Sequence, residues 1–220
     1  MSRYAVLDFE TTGLSPDMGD RATEIAVVLV ENGEVVDRYA SLMNAGVHVS
    51  AFITELTGIT NRMLRAAPPV SRVMAEAARF VGTTPIVAHN ASFDQRFWAS
   101  ELGRLGLSSA HPFLCTMLIA RRLYPEAPNH RLGTLVDYHQ LPRPGAAHRA
   151  LADAEMAASL LDRIHHDLRE NYGIKKPSHA LLREIQGCTR ARVPGLLAGW
   201  PTYPSHPINV SRSGGEEAGS

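Results

Sequence analysis

Apolar and polar positions divide the chain into short strands first and helices later. Tyr4 to Leu7 is an apolar run of strand length that ends in two carboxylates, Asp8 and Glu10. A polar stretch, residues 11–20, leads to a second apolar run from Ala22 to Val30. Asn32-Gly33 separates that run from a third, Val35 to Leu42, and Asn-Gly between two β-type runs predicts a hairpin. Residues 44–69 are rich in turn residues, contain Pro68-Pro69, and read as irregular. Val73, Met74, Ala77, Ala78 and Val81 then recur at helical spacing, predicting a helix capped by Ser71 and stopped at Gly82. Residues 85–89 read as a fourth strand, and Ser92 as the cap of a helix reaching Leu105 and closed by Gly106. Residues 112–123 read as a short strand running into a helix, 131–139 as a short helix, 147–171 as a long helix ending at Gly173, and 178–187 as one more short helix. This order implies an α/β fold: a mixed sheet of three initial strands with an antiparallel hairpin, then parallel strands, flanked by helices.

Composition adds a division of the chain. Its 220 residues, 45% hydrophobic and 20% charged, suit one domain plus an appendage. The expected boundary puts a catalytic-type domain at 1–172 and a basic extension at 173–220, disordered from about residue 202, where Pro, Ser and Gly accumulate. A chain cut after Gly173 is then expected to keep a folded core. The net charge of zero hides an asymmetry: residues 1–60 hold three Arg against nine Asp or Glu, and the basic excess lies downstream. That excess suits a polyanion, although the preference for Arg over Lys fits base composition equally well. Lys175, Lys176, Arg183, Arg190 and Arg192 could add phosphate contacts or form a solvated face. Two cysteines give neither a disulfide framework nor a zinc spacing. With no signal segment and no long apolar run, the expectation is a cytoplasmic protein with no membrane partner.

The candidate chemistry is carboxylate chemistry. Asp8 and Glu10 share a strand face with Tyr4 and Val6, their Cα atoms roughly 6.5–7 Å apart. Burying such a pair without a counter-charge costs several kcal/mol or more. Oxygen ligands of this kind suit Mg²⁺ or Mn²⁺. The alternative is a solvent-facing strand end or a helix cap. Asp94 falls in the first turn of a helix after a strand, where the helix dipole alone would explain an acid. Asp153 lies four residues before Ala157 on the stripe of Leu160, Leu161 and Ile164, so it shares the buried face. His148, five residues earlier, does not share that face; it either reaches over the site as a general base or is a surface histidine.

In this order Asp8, Glu10, Asp94, His148 and Asp153 resemble the DEDDh family of 3′–5′ exonucleases, the DnaQ-like proofreading group. Three stretches carry the resemblance: Leu7-Asp8-Phe9-Glu10-Thr11-Thr12-Gly13-Leu14, His89-Asn90-Ala91-Ser92-Phe93-Asp94, and His148 to Ala154 with its H-x4-D spacing. Thr57-Gly58-Ile59-Thr60 and Leu132-Gly133-Thr134-Leu135 also resemble family stretches, and the likeness covers about residues 3–165. It implies an RNase H-like fold and two divalent ions, Mg²⁺ or Mn²⁺, held by Asp8, Glu10, Asp94 and Asp153. It implies a general base, His148, and release of nucleoside monophosphates from a single-stranded or frayed 3′ end. It further implies Thr11 and Leu14 at the terminal nucleotide, Leu56 and Thr57 beside it, and Phe93 stacked or wedged near a base. Thr57 stands where relatives often carry histidine. DNA and RNA both fit as substrate, DNA being the first reading. A non-catalytic nucleic-acid-binding or polymerase-associated module is the reading from another class, and retention of all five residues favours catalysis. A stand-alone repair or trimming enzyme fits slightly better than a polymerase subunit, because no clamp-binding string of the type Q-x-x-L-x-F stands near Gln140 or Gln186.

Overall fold

The computed structural model describes residues 3–145 and 148–200. Its strands are β1 (Arg3–Thr11), β2 (Ala22–Glu31), β3 (Glu34–Leu42), β4 (Ile86–Ala88) and β5 (Phe113–Cys115). They form one sheet in the order β3-β2-β1-β4-β5. β2 pairs antiparallel with both β1 and β3, whereas β4 runs parallel to β1 and β5 parallel to β4. The hairpin stands where Asn-Gly predicts it: Asn32 and Gly33 have φ of 54° and 92°, the left-handed pair that such a turn requires.

Both faces of the sheet are covered, which is why β2 is apolar almost throughout rather than alternating. Residues Ala22–Val30 are all buried. Ala5, Leu7, Phe9, Ile25 and Val27 face helices α3 (Val70–Val81) and α4 (Ala91–Gly103), counting from two short helices, α1 (Ala51–Thr57) and α2 (Asn61–Ala66). Tyr4, Val6, Ala26 and Val28 face the other layer. That layer contains α5 (Thr116–Leu123), α6 (Leu132–Tyr138) and the long α7 (Ala150–Tyr172). The alternation places Asp8 and Glu10 on the α7 side, at the C-terminal end of a central strand. β3 is the exposed edge, and Glu34, Asp37 and Arg38 on it oppose pairing with another chain.

Several local expectations are corrected. Residues 44–69 are not irregular: Ser50 and Thr60 cap α1 and α2 by accepting from the Ile53 and Met63 N–H groups. Ser71 and Ser92 are not caps but lie inside α3 and α4, which start after Pro69 and Asn90. At α3 a backbone pairing replaces the side-chain cap: the Val70 N–H donates to the Asn44 carbonyl at 3.1 Å. At α4 the left-handed conformation of Asn90, φ 67°, turns the chain directly off β4. α4 ends at Gly103, two residues early, and α7 starts at Ala150 rather than Ala147.

Beyond Gly173 the chain forms α8 (His179–Gly187), capped by Ser178 as predicted, and α9 (Val193–Ala198). Leu181, Leu182, Ile185, Val193 and Leu197 are buried in the same apolar layer as Tyr4, Val6 and Leu114. Gln186 Oε1 accepts the Cys115 N–H at 2.8 Å, and Arg122 Nε donates to the Cys188 carbonyl at 3.1 Å. Gly173 thus marks a change of composition, not the edge of the core. The expected disorder from about residue 202 lies outside the described residues. No helix among the described residues is long and apolar enough to cross a membrane.

Five buried aliphatic side chains at about 2 kcal/mol each amount to roughly 10 kcal/mol, comparable to the whole net stability of a domain. A chain ending at Gly173 should therefore aggregate or lose its cooperative thermal transition.

Candidate active site

The floor of the site is the C-terminal end of β1. Asp8 and Glu10 project from it toward the start of α7. Asp94, in the first turn of α4, is buried, and its Oδ1 accepts the Phe9 N–H at 3.2 Å, which ties that helix to the strand between the two acids. The αL turn at Asn90 makes this approach possible. On the other side, His148 has φ of 60°, a left-handed conformation that costs a non-glycine residue on the order of 1 kcal/mol. This turn carries the His148 N–H to Asp153 Oδ2 at 3.1 Å. Glu10, His148 and Asp153 offer ligand atoms that all lie within 4.8 Å of one another.

Two arginine–glutamate clamps hold the helices to β2. Arg149, immediately before α7, donates Nε and Nη2 to Glu24 at 3.1 and 2.8 Å, and Glu24 also accepts the Ala150 N–H at 3.1 Å. Glu24 is directly opposite Glu10 in the β1–β2 register. Arg21 donates Nε and Nη2 to Glu101 of α4 at 2.8 Å each, and Glu101 accepts the Ala22 N–H at 3.2 Å. Glu24 and Glu101 are both buried, yet each is paired in bidentate fashion and given a further donor. The helices bearing Asp94 and Asp153 are thereby fixed on either side of the strand that bears Asp8 and Glu10.

The four site acids lack such compensation. Burial, then the charges of Asp94, Asp153, Glu10 and Glu24, push the Asp8 carboxyl well above the usual range. Burial raises Asp94 likewise, against the Phe9 hydrogen bond that opposes the shift. Burial, with the charges of Asp153 and Glu24, raises Glu10 to about 8, and Asp153 is raised chiefly by burial. An all-oxygen cluster of acids that cannot all ionise unaided fits hard divalent cations. His89 is a different kind of residue: Nε2 donates to the His130 carbonyl at 3.0 Å and burial lowers the ring to about 4, so it serves as a neutral brace.

A cleft of about 780 Å³ opens above the floor. Asp8, Glu10, Asp94, His148 and Asp153 line it, as do Thr11, Leu14, Leu56, Thr57 and Phe93, whereas Lys175, Lys176, Arg183, Arg190 and Arg192 do not. Two hydroxyls are already engaged: Thr11 Oγ1 donates to the Gly13 carbonyl at 2.6 Å, and Thr57 Oγ1 donates to the Ile53 carbonyl at 2.8 Å. Leu14 is 79% exposed at the rim, and Phe93 is braced on Phe97 with ring centroids 5.0 Å apart. Sequence reasoning missed Ser50, Phe52 and Ile53 of α1, which also line the cleft; Phe52 is 71% exposed. The signal was the pair of potential caps at Ser50 and Thr60. Glu24 and Arg149 were missed too, because they are partners only across a long stretch of chain.

The family described as Exonuclease matches residues 5–161. The DNA polymerase III PolC-type protein of Halalkalibacterium halodurans is 38% identical over 198 residues, 82% of this chain and 14% of the relative. Its Bacillus subtilis counterpart is 37% identical over 201 residues, 83% of this chain and 14% of the relative. The chain therefore spans about a seventh of the length of these relatives. A solved structure of Exonuclease X in complex with 5′ overhanging duplex DNA has a TM-score of 0.66 at 28% identity, covering 84% of this chain and 99% of that one. E. coli Exonuclease I in complex with a dT13 oligonucleotide shares the fold at 18% identity, with a TM-score of 0.67 over 83% of this chain and 46% of that one. The mixed sheet and its helices have the RNase H-like exonuclease fold.

The raised carboxylates give stability a definite pH dependence. The contribution of Glu10 is fully present below its unfolded value near 4.5 and is lost as pH rises through about 8. In EDTA the melting temperature should thus fall from pH 5 to pH 8. Millimolar Mn²⁺ should restore more at pH 8 than at pH 5, because a cation favours the ionised form. A melting curve equally responsive to Mn²⁺ at both pH values would contradict this.

Proposed function

The chain belongs to this exonuclease family; from that premise we propose that it is a 3′–5′ exonuclease of the DEDDh type that trims DNA 3′ ends. In this reading Asp8, Glu10, Asp94 and Asp153 hold two divalent cations, Mg²⁺ or Mn²⁺, and His148 is the general base. The observation that carries it is the convergence of Glu10, His148 and Asp153 within 4.8 Å, beside half-buried Asp8 and buried Asp94, on the floor of an open cleft.

When bound, the cations would neutralise the acids, lower the pKa of water and stabilise the entering and leaving oxygens of an in-line displacement. The protein does the rest. Leu14, Leu56 and Phe93 present apolar surface to the terminal nucleoside, and Phe52 extends that surface at the rim. The terminal phosphodiester then lies over the β1 acids. His148, held by its backbone bond to Asp153, takes a proton from water as the oxygen bonds to phosphorus. The bond from phosphorus to the 3′ oxygen of the preceding nucleotide breaks, and that oxygen is protonated from solvent. The products are a nucleoside 5′-monophosphate and a strand one residue shorter with a free 3′-hydroxyl. DNA is supported as substrate by the polymerase relatives and by the duplex DNA of the structure at 28% identity. The same relatives support a DNA polymerase as partner.

The test is degradation of matched DNA and RNA oligonucleotides, labelled at the 3′ or the 5′ end, with Mg²⁺, Mn²⁺ or EDTA. Loss of the 3′ label as mononucleotide, a 5′-labelled ladder, faster turnover of DNA and no turnover in EDTA are expected. Faster turnover of RNA would move the substrate assignment to exoribonuclease. Asp8→Ala or Asp153→Ala should abolish cleavage. His148→Ala should lower turnover about 10²–10⁴-fold and remove the rise of rate with pH on the acid side. An unaltered pH–rate profile in that variant would remove His148 from the chemistry.

A further inference from the structure

A second concave site lies at the other end of β1. Tyr4 precedes Asp8 by four residues on the same strand, so the two stand roughly 13 Å apart along it. Around Tyr4 the start of β1, the Asn32 turn, the later turns of α7 and the start of α8 enclose a cleft of about 680 Å³, which shares no lining residue with the catalytic cleft. Its inner wall is aromatic and polar. Tyr4 and His165 have ring centroids 5.7 Å apart, and Tyr4 and His179 stack at 6.3 Å. Tyr4 and His165 are 2% and 5% exposed. Yet Tyr4 Oη, His165 Nε2 and both ring nitrogens of His179 have no hydrogen-bond partner among the described residues. Buried polar atoms are almost always paired, so several unpaired in one place call for a ligand.

The surroundings fix the sign of that ligand. Arg3, Arg169, Lys175 and Lys176 line the cleft, and among the described residues no carboxylate does. Of these four, among the described residues only Arg3 is in an ion pair, with Glu31 at 3.0 Å. A metal ion is therefore unsuited to it. Tyr4, pushed up to about 12 by burial, keeps its proton and is a donor without an acceptor among the described residues. The N-terminus of α8 adds the positive end of a helix dipole. We propose that this cleft is a phosphate-binding site, taking either a free phosphate such as that of a nucleoside monophosphate or a backbone phosphate of nucleic acid.

The test follows thermal unfolding of the full chain in EDTA while chloride is replaced by inorganic phosphate at constant ionic strength. Phosphate should raise the melting temperature saturably. Its midpoint should weaken about tenfold in Lys175→Ala/Lys176→Ala and in Tyr4→Phe, the size of one lost charge-assisted hydrogen bond. Thymidine monophosphate and a twelve-residue oligothymidylate distinguish the source. Weakening of the monophosphate alone assigns a free phosphate, and weakening of the oligonucleotide as well assigns the strand backbone. A phosphate response no larger than that of chloride would overturn the proposal. So would an unchanged midpoint in variants with the native circular dichroism spectrum.

Discussion

Like charges crowded at a dry strand end repel one another, and much of this fold is what keeps them together. Asp94 and Glu10 are buried and Asp8 is half-buried, and the charges of Asp94 and Glu10 raise the proton affinity of Asp8. A chain left to itself would relieve that repulsion by letting a helix end swing outward. Both candidate helix ends are pinned instead: α7 through Glu24–Arg149 and α4 through Glu101–Arg21 and the Phe9–Asp94 bond. The arginines are engaged by glutamates outside the cluster, which leaves the cluster acids to be neutralised by protons or by bound cations. The site is preorganised for cations at the expense of stability without them.

The strained turn at His148 belongs to the same arrangement. A left-handed residue before a helix is uncommon outside glycine and a few polar types. Here it bends the chain so that the histidine's N–H is used by Asp153 while the residue itself lines the cleft. Helix α1 completes the opposite wall with Phe52 and Leu56, giving an apolar side facing an acidic floor. That division suits a substrate with a flat apolar base at one end and a phosphodiester at the other.

Much of this was legible in the sequence, for identifiable reasons. The unbroken apolar run of β2 and the Asn-Gly turn read directly because burial on both faces and a left-handed turn each demand particular residues. Asp153 was legible because helical period places it on the stripe of Ala157 and Leu161. Helices α1 and α2 were not, since each is under two turns and is defined by a cap rather than by periodicity. The Glu24–Arg149 pair is a contact across the fold, to which no local pattern points. The α8 stripe of Leu181, Leu182 and Ile185 showed an apolar face without showing that the face joins the main core.

The central claim is that the acids at the end of β1 form a cation site and not merely a strained cluster. Calorimetric titration with Mn²⁺ at pH 7, repeated in buffers of different ionisation enthalpy, tests it most directly. Two ions should bind per chain with release of protons, and binding should be lost in Asp8→Asn and Asp153→Asn. Absence of binding in the native protein, or binding undiminished and without proton release in those variants, would contradict it.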